Sequence, residues 1–296
     1  MQVGWLGLGA MGAPMAARAA RAGHVVRGHD VVPGRAASLA EDGVRPAETA
    51  TAAVGGADLT VIMVATPGQL EEALFAPAGA AGSLAAGSIV VVMATVGPEA
   101  VISVADRLAE GGVAVVDAPV SGGTARAASG DLLIVVSGPQ GPVERAQPVL
   151  SALARSAPVV GSSPGDGQRM KLVNQLLCGV HIAAAAEALA FAEALGLSAA
   201  DCWQVLREGA AASFMLDDRG TRMVEGQFEP ARSALDIFVK DMGLVDAAAG
   251  QAGATAPLAA AARQLYLHGH DLGLGRLDDS VLIEVLRRQR GAPTGR

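Results

Sequence analysis

The stretch VGWLGLGAMGAPMA, residues 3–16, contains three glycines in the spacing Gly7-x-Gly9-x-x-Gly12. It begins with a short apolar run and ends in an Ala-rich stretch, which predicts a strand, a tight turn and a helix in succession. The first glycine permits the turn, the second lets a pyrophosphate approach the backbone, and the third lets the helix pack closely against the strand. The helix N-terminus adds N–H groups and a partial positive charge for phosphates. The residues predicted to contact a dinucleotide here are Gly7, Leu8, Gly9, Ala10, Met11 and Gly12.

An acidic residue, Asp30, ends the next predicted strand, 18 residues after Gly12. In a dinucleotide-binding unit, an acid at this distance accepts hydrogen bonds from the adenosine ribose hydroxyls, and its charge repels a 2′-phosphate. The residues VVPGR that follow place no arginine directly after the acid. The pattern therefore favours NAD over NADP. NADP stays open because Arg35, five residues after Asp30, could turn toward a 2′-phosphate.

Short apolar runs alternate with Ala-rich helical stretches over the first half of the chain. The predicted strands are Val3–Leu6, Val25–Gly28, Leu59–Val64, Ile89–Met93, Val113–Val116, Leu132–Val136 and Val159–Val160. The helical stretches between them include Met11–Ala22, Gly34–Glu41, Pro98–Ala109 and Val143–Leu153. Buried β-branched runs separated by helices are typical of a doubly wound α/β fold, with a parallel sheet covered on both faces. Residues 1–162 are therefore predicted to form a Rossmann-type NAD-binding domain.

The alternation stops at the turn-rich segment GSSPGDG, residues 161–167. Every later segment is predicted to be helical: a long apolar one at about 168–194, then Ala199–Glu208, Ser233–Ala249 and Pro257–His268. We predict a second, all-α domain over residues 163–296 that is joined to the first by the long helix and serves substrate binding and oligomerisation. Its apolar faces predict a homodimer or homotetramer, because large apolar faces are seldom left in water.

Composition narrows the classes of protein that this chain could be. The 296 residues carry a net charge of −7, which argues against nucleic acid or an anionic membrane surface as a partner. No run reaches the ~20 uncharged apolar residues of a membrane span, and the N-terminal sequence lacks the basic and cleavage regions of a secretion signal. The two cysteines, Cys178 and Cys202, have no metal-ligand spacing and are predicted to be buried thiols. These features predict a cytoplasmic protein without a metal site.

Lysine is rare in this chain: of the 22 Lys and Arg residues, only Lys171 and Lys240 are lysine. Lys171 follows the turn-rich segment in the first or second turn of the predicted long helix, and Asn174 and Gln175 lie roughly 60° and 40° from it around the helix axis. A partly desolvated lysine can release and accept a proton, whereas an arginine cannot. Lys171 is therefore predicted to be an acid–base group assisted by the two amides. The alternative is an ordinary surface lysine.

The second lysine, Lys240, lies in LDIFVKDMGLV after an apolar stretch of a predicted helix. It is predicted to contact cofactor or substrate as a fixed positive charge. The alternative is a salt bridge with Asp236 or Asp241.

The stretch DAPVSGGTARAASGDL, residues 117–132, follows the predicted strand that ends at Val116. Ligands of open α/β sheets bind at the carboxyl ends of strands. Consecutive glycines free their N–H groups for an anion, and a serine adds a hydroxyl donor. Ser121, Gly122 and Gly123 are therefore predicted to cradle a substrate carboxylate. The alternative is a flexible loop.

Four segments together resemble the β-hydroxyacid dehydrogenase family, which includes 3-hydroxyisobutyrate dehydrogenase and tartronate semialdehyde reductase. They are GLGAMGAPMA, DAPVSGGTARAASGDL, GDGQRMKLVNQ and FVKDMGL, in the order and spacing of the family and spread over essentially the whole chain. KLVNQLLCGVHIAAAAEALA and SALDIFVKDMGLV are most similar to the L-threonate dehydrogenase branch, whose members oxidise a four-carbon sugar acid at C2 with NAD.

The resemblance implies that Lys171 is the catalytic lysine and that Ser121, Gly122 and Gly123 bind the substrate carboxylate. It also implies that Thr95, in MATVGPE, lies near the nicotinamide. Lys240 is implied to lie near the cofactor cleft.

The chain departs from many family members at the catalytic amide. Those members carry an asparagine four residues after the lysine, where this chain has Gln175, and its Asn174 lies at three. Tartronate semialdehyde reductases and threonate-type members show the same Lys-x-x-Asn-Gln. The sequence therefore leaves open which of the two amides contacts the substrate.

The predicted reaction is reversible hydride transfer between the carbinol carbon of a small hydroxy acid and the nicotinamide of NAD, with L-threonate as the first candidate substrate. 3-Hydroxyisobutyrate and tartronate semialdehyde (2-hydroxy-3-oxopropionate) are the alternatives within the same chemistry. Imine reductases share the architecture but typically carry Asp or Tyr in place of the lysine, and non-catalytic dinucleotide-binding relatives tend to lose the lysine. Lys171 argues against both.

Overall fold

The computed structural model of the protein describes residues 1–291. The chain divides into two compact units, Met1–Lys171 and a second unit that begins at Leu172. The boundary predicted from the sequence, between residues 162 and 163, lies nine residues earlier. The predicted second domain runs to residue 296, and residues 292–296 of it lie outside the described range.

The first unit is built on β-strands of two to five residues. They are β1 Gln2–Leu6, β2 Val25–His29, β3 Val44–Pro46, β4 Leu59–Ile62, β5 Ile89–Val92, β6 Ala114–Asp117, β7 Val120–Ser121, β8 Leu132–Ile134, β9 Val136–Ser137, β10 Ala154–Ser156 and β11 Val159–Gly161. Eight of them form one sheet in the order β11-β9-β6-β5-β4-β1-β2-β3, and the other three form a small sheet in the order β10-β8-β7.

Six neighbouring strands of the large sheet, β6-β5-β4-β1-β2-β3, are all parallel. This order is that of a Rossmann-type doubly wound fold, so the predicted fold class is confirmed. The expectation of a wholly parallel sheet is wrong at one edge. There β9 runs antiparallel to β6, with Asp117 opposite Ser137, and β11 is parallel to β9.

Two predicted elements differ from the structure. The run Leu132–Val136 is not one strand, because β8 pairs within the small sheet while β9 pairs in the large one. The run Gly34–Glu41 is not a helix: it contains a single 3₁₀ turn, Ala37–Leu39, with no buried residue. Two residues of this run, Ala36 and Leu39, are partly buried against the core. A short helix with so small a packed apolar face is only marginally stable in water, which accounts for the difference.

Helices cover both faces of the large sheet. In the first unit they are α1 Gly12–Arg21, α2 Ala50–Val54, α3 Pro67–Phe75, α4 Pro98–Ala109, α5 Gly123–Ser129 and α6 Gln140–Leu153. Successive side chains of a strand point to opposite faces. Trp5 therefore packs in a core with residues of α1, α5 and α6, whereas Leu6 packs in a separate core with residues of α2, α3 and α4.

The second unit is helical, as predicted. A 29-residue helix, α7 Asp166–Ala194, begins in the first unit and continues into the second, and it is followed by α8 Ala199–Leu206, α9 Phe214–Glu225, α10 Leu235–Gln251, α11 Pro257–Asp271 and α12 Leu282–Gly291. Helices α7 and α10 pack closely at Gly179, where a Cβ atom would lie 2.3 Å from the sulfur of Met242. The buried Tyr266 hydroxyl of α11 donates a hydrogen bond to the Gly179 carbonyl at 2.9 Å, and burial raises the pKa of Tyr266 well above its ordinary value.

Helix α7 is also the one described helix that is long and apolar enough to cross a membrane by length and composition. Half of its most apolar stretch is buried within the protein. A core helix of a soluble protein has the same length and composition, so this property alone does not indicate a membrane span.

Candidate active site

The glycine-rich turn between β1 and α1 has the backbone geometry that its sequence predicts. Gly7 has a φ of +94°, and a Cβ there would lie 2.3 Å from the Met63 carbonyl oxygen. A Cβ at Gly12 would lie 2.1 Å from the Gly7 carbonyl oxygen. At Gly9 the space is open, since the nearest atom to such a Cβ is an Arg35 side-chain nitrogen at 4.0 Å. Two glycines thus close the turn, and the third leaves room for a ligand at the backbone, which fits a dinucleotide pyrophosphate.

The structure gives Asp30 a role that the sequence did not suggest. Its carboxylate accepts hydrogen bonds from the backbone N–H groups of Leu8 at 2.7 Å and Val32 at 2.8 Å. Arg35 forms an ion pair with it at 3.2 Å, and the Asp30 side chain is only 5% exposed. Asp30 therefore anchors the glycine-rich turn to the end of β2, and Arg35 offsets part of the charge expected to repel a 2′-phosphate.

The predicted carboxylate cradle lies at the start of α5. Ser121 ends β7, a strand of the small sheet, so the cradle follows β7 directly rather than β6. Gly122 and Gly123 have φ values of +139° and +76°, which favour glycine. A Cβ at Gly123 would meet no atom within 4 Å, so the backbone there is open on that side.

The first turn of α7 is anchored to the ends of β6 and β9 by polar groups. The Asp117 carboxylate accepts hydrogen bonds from the N–H groups of Gly165 at 3.0 Å and Gln168 at 2.8 Å. The Ser137 hydroxyl accepts one from Gly167 N–H at 2.8 Å. A Cβ at Gly167 would lie 2.9 Å from the Asp117 carboxylate, which explains the second glycine of GDGQ. Because the first turn of α7 is hydrogen-bonded to strands of the first unit, it belongs to that unit. The boundary between the compact units therefore falls inside α7 rather than before it.

Lys171 is the sixth residue of α7, in its second turn, where the sequence placed it. Lys171 is only 5% exposed, so the alternative interpretation, an ordinary surface lysine, is wrong. Thr95, which the resemblance implies to lie near the nicotinamide, is in the loop between β5 and α4.

The amides that follow the lysine are part of a hydrogen-bonded chain in the second unit. The Gln175 side-chain NH₂ donates to the Asp241 carboxylate of α10. The Asn174 NH₂ donates to Gln175 Oε1 at 2.8 Å and contacts Cys178 Sγ at 3.3 Å. A carboxylate only accepts, so this contact fixes the orientation of the Gln175 amide and, through it, that of the Asn174 amide.

Lys240 lies next to this chain. Its Nζ is 2.9 Å from Asp241 Oδ1, so the salt bridge that the sequence left as the alternative is present. A contact of Lys240 with cofactor or substrate stays a prediction. Within residues 1–291, no group of three or more His, Cys, Asp or Glu side chains could hold a metal ion.

Two family models match the two halves of the chain. Residues 2–161 match the NAD-binding domain of 6-phosphogluconate dehydrogenase, and residues 165–286 match the NAD-binding domain of NADP-dependent 3-hydroxyisobutyrate dehydrogenase. The chain belongs to the β-hydroxyacid dehydrogenase family. It is therefore an oxidoreductase with a nicotinamide cofactor, NAD or NADP, as the glycine-rich turn indicates.

Curated and solved members of the family are similar to the protein over almost its entire length. An L-threonate dehydrogenase from Cupriavidus necator is 38% identical, with 96% of this chain and 95% of that protein covered. A 2-hydroxy-3-oxopropionate reductase from Escherichia coli is 34% identical, with 97% of each covered. The crystal structure of a 3-hydroxyisobutyrate dehydrogenase from Salmonella typhimurium is 37% identical, with 96% of this chain and 99% of that chain covered and a TM-score of 0.90.

Sequence reasoning missed four polar residues of this β-hydroxyacid dehydrogenase family member. They are Asp117, Ser137, Gln168 and Asp241. Asp117 lies in the motif DAPVSGG and Gln168 in the motif GDGQ. A polar residue with no assigned role inside a glycine-rich motif was therefore the signal that could have identified them. Ser137 had no such signal, and Asp241 was considered only as an ion-pair partner of Lys240.

Proposed function

We propose that the protein is an NAD-dependent dehydrogenase that oxidises the C2 hydroxyl of L-threonate. The observation that carries the chemistry is a nearly fully buried lysine on α7, followed by an ordered pair of amides. The observation that favours this substrate is the similarity to L-threonate dehydrogenases from several bacteria, at 36–38% identity over at least 95% of the chain.

Lys171 would take the proton of the C2 hydroxyl as the alcohol becomes a carbonyl, and return it in the reductive direction. General acid–base catalysis requires a group that exchanges protons within hydrogen-bond reach of the reacting oxygen. Lysine has this capacity when partly desolvated, and Lys171 is 5% exposed. When bound, NAD supplies the nicotinamide C4 that accepts the hydride from C2.

Ser121, Gly122 and Gly123 would bind the carboxylate of the substrate. The open backbone at Gly123 supports this role, because an anion can approach the N–H group there without meeting a side chain. Holding the carboxylate would fix the orientation of the neighbouring C2 atom relative to Lys171. Such positioning supplies a large part of the rate enhancement of enzymes.

We assign the substrate contact to Asn174 rather than to Gln175. Both ends of the Gln175 amide are engaged, its NH₂ by Asp241 and its Oε1 by Asn174. Among residues 1–291, no described hydrogen bond ends on Asn174 Oδ1. Asn174 therefore presents an acceptor with a fixed orientation, one helical turn from Lys171. Gln175 and Asp241 would act as positioning residues.

Activity with a panel of hydroxy acids tests the proposal. L-Threonate, 3-hydroxyisobutyrate, glycerate and a 2-hydroxy acid without further hydroxyls would each be supplied with NAD, and NADH would be followed at 340 nm. We expect the highest kcat/KM with L-threonate. A higher value with 3-hydroxyisobutyrate, or with glycerate as the reduced form of tartronate semialdehyde, would transfer the assignment to that substrate. No turnover with any of them would contradict the proposed function.

The preference for NAD gives a prediction of its own. Asp30→Asn keeps an acceptor for the Leu8 N–H group, but it loses the bond from the Val32 N–H group and removes the negative charge proposed to lie at the ribose. Loss of charge-assisted hydrogen bonds to the ribose is expected to lower kcat/KM with NAD by roughly 10-fold, while NADP becomes a better substrate because Arg35 is released. Arg35→Ala is the matched control and should reduce activity with NADP only. Preference of the unmodified protein for NADP would show that Arg35, not Asp30, sets the specificity.

We also propose that the protein is a cytoplasmic homodimer or homotetramer. Large apolar side chains are exposed on α7, on α8 and in the turn between them, among them Phe191, Val205 and Leu195 respectively. Such a patch supports self-association, because large apolar faces are seldom left in water. Light scattering coupled to size-exclusion chromatography would measure the subunit number.

A further inference from the structure

Gln168 is fully buried and hydrogen-bonded through every side-chain donor and acceptor position that it has. Its Oε1 accepts from the N–H groups of Val96 at 2.9 Å and Gly97 at 3.0 Å. Its NH₂ group donates to the Ala94 carbonyl at 3.0 Å and to Asp117 Oδ1 at 2.8 Å. One side chain thus joins three parts of the first unit: the start of α7, the end of β6 and the loop between β5 and α4.

Asp117 completes the arrangement from the other side. Four donors reach its fully buried carboxylate: two backbone N–H groups of the α7 N-terminus, the Gln168 NH₂ and the Ser137 hydroxyl at 3.4 Å. Burial raises the pKa of Asp117, while these hydrogen bonds oppose that rise. A buried carboxylate with this many donors at a helix N-terminus holds the helix to the strand end much as an N-cap residue does.

The loop and the helix held in this way each carry a residue of the predicted reaction. Thr95 lies directly between Ala94 and Val96, whose backbone groups bond to Gln168. Lys171 lies three residues after Gln168, on the next turn of the same helix. A shift of the Gln168 amide would move the Thr95 backbone relative to the Lys171 backbone.

We propose that Asp117 and Gln168 form a positioning pair that sets the distance between Lys171 and the Thr95 loop. The pair touches the reacting groups only through the backbone, so Asp117 and Gln168 are positioning residues and not catalytic ones. The proposal rests on the proposed function insofar as Lys171 is the acid–base group. Misplacement of a reacting group by about 1 Å costs an enzyme on the order of 100-fold in rate, so we expect large effects from small displacements.

The hydrogen-bond pattern dictates which substitutions break the pair and which restore it. In Asp117→Asn, the introduced NH₂ must face either the Gln168 NH₂ or the backbone N–H groups of α7, and both are donors. In Gln168→Glu, the introduced oxygen faces the Ala94 carbonyl and the Asp117 carboxylate, which are both acceptors. The double variant Asp117→Asn/Gln168→Glu reverses the carboxylate and the amide. It restores the contact between the two side chains, keeps the bonds from Val96 and Gly97, and loses only the bond to Ala94.

The experiment compares the two single variants, the double variant and a control for stability. We expect each single variant to lower kcat by about 10–100-fold with little change in NAD affinity, measured by titration calorimetry. The kcat of the double variant should be about 10-fold higher than the value obtained by multiplying the two single losses. A recovery of this size is the coupling expected of side chains in direct contact. Leu150→Ala, a buried core change in α6 of the same unit, controls for lost stability and should leave kcat of the folded protein unchanged.

A second measurement does not depend on substrate or turnover. The chain contains only two lysines, so protein labelled with ¹³C at lysine Cε gives two lysine signals by NMR. The signal that disappears in Lys171→Ala identifies that lysine. Each single variant should shift the Lys171 signal, the double variant should return it toward its original position, and the Lys240 signal and Leu150→Ala spectrum should stay unchanged.

The outcomes separate the two proposals. If no hydroxy acid is oxidised but the Lys171 signal moves and returns as described, the proposed function fails and the positioning pair stands. If both single variants keep kcat within about twofold, or the double variant equals the product of the single effects, the positioning pair is refuted. An unmoved Lys171 signal in both single variants would refute it as well.

Discussion

Lys171→Ala is expected to lower kcat for hydroxy acid oxidation by about 10²–10⁴, the usual contribution of a general acid–base group. The variant removes the nearly buried lysine of α7 that we propose takes up the hydroxyl proton. Without it, no side-chain amine is there to take the proton as the alcohol becomes a carbonyl. Steady-state kinetics with the substrate identified by the panel would measure the loss, and calorimetric titration with NAD should show cofactor binding largely retained.

Lys171→Arg is the sharper form of this test. It keeps the positive charge and a similar length, but an arginine does not release its proton in proteins. We therefore expect a loss nearly as large as in the alanine variant. An arginine variant with kcat within about tenfold of the original would show that Lys171 acts by charge alone. Partial recovery of the alanine variant on addition of methylamine would show that a titratable amine is what the site requires.

Asn174→Ala is expected to lower kcat/KM by about 100-fold, because the variant loses the preorganised Oδ1 acceptor proposed for a substrate hydroxyl and no longer fixes the position of the reacting carbon. Gln175→Ala should cost less, about 10-fold, because Gln175 acts on the substrate only by orienting Asn174. Kinetics of both variants under the same conditions would compare the two amides. A larger loss in Gln175→Ala than in Asn174→Ala would reverse the assignment.

Asp241 provides the matched pair of variants for this comparison. Asp241→Asn retains an oxygen that can accept from the Gln175 NH₂, whereas Asp241→Ala does not. We expect the asparagine variant to keep more of the kcat than the alanine variant. Equal losses would mean that the ion pair with Lys240, which both variants remove, matters more than the orientation of the amides.

Much of the fold could be predicted because its signals are local. The spacing Gly7-x-Gly9-x-x-Gly12 reports backbone positions where a Cβ would collide with a carbonyl oxygen, as it would at Gly7 and Gly12. Continuous apolar runs that alternate with helical segments indicate strands buried on both faces of a sheet. The Gly34–Glu41 prediction failed because composition alone predicted a helix there, whereas the run packs against the core through two partly buried residues, Ala36 and Leu39.

The site was predictable in part for a chemical reason. Lys171 stood out because the chain otherwise supplies positive charge almost entirely with arginine, and a lysine, unlike an arginine, can exchange a proton. The role of Asp30 was harder to recognise. Its distance from Gly12 predicts a ribose contact, whereas its bond to the Leu8 N–H group depends on how β2 lies beside β1.

The amino-acid sequence alone was sufficient for the family, the doubly wound sheet, the helical second unit and the candidate catalytic lysine, because each follows from residue types and motifs and not from how the chain packs. The partners of the polar groups depended on the folded chain. Gln168 meets Asp117 across 51 residues, and Gln175 meets Asp241 across 66. A buried amide can satisfy its hydrogen bonds with any donor or acceptor that packing brings to it. Its partner is therefore a property of how strands and helices pack, and the orientation of Asn174 and the anchoring of α7 became visible only in the tertiary structure.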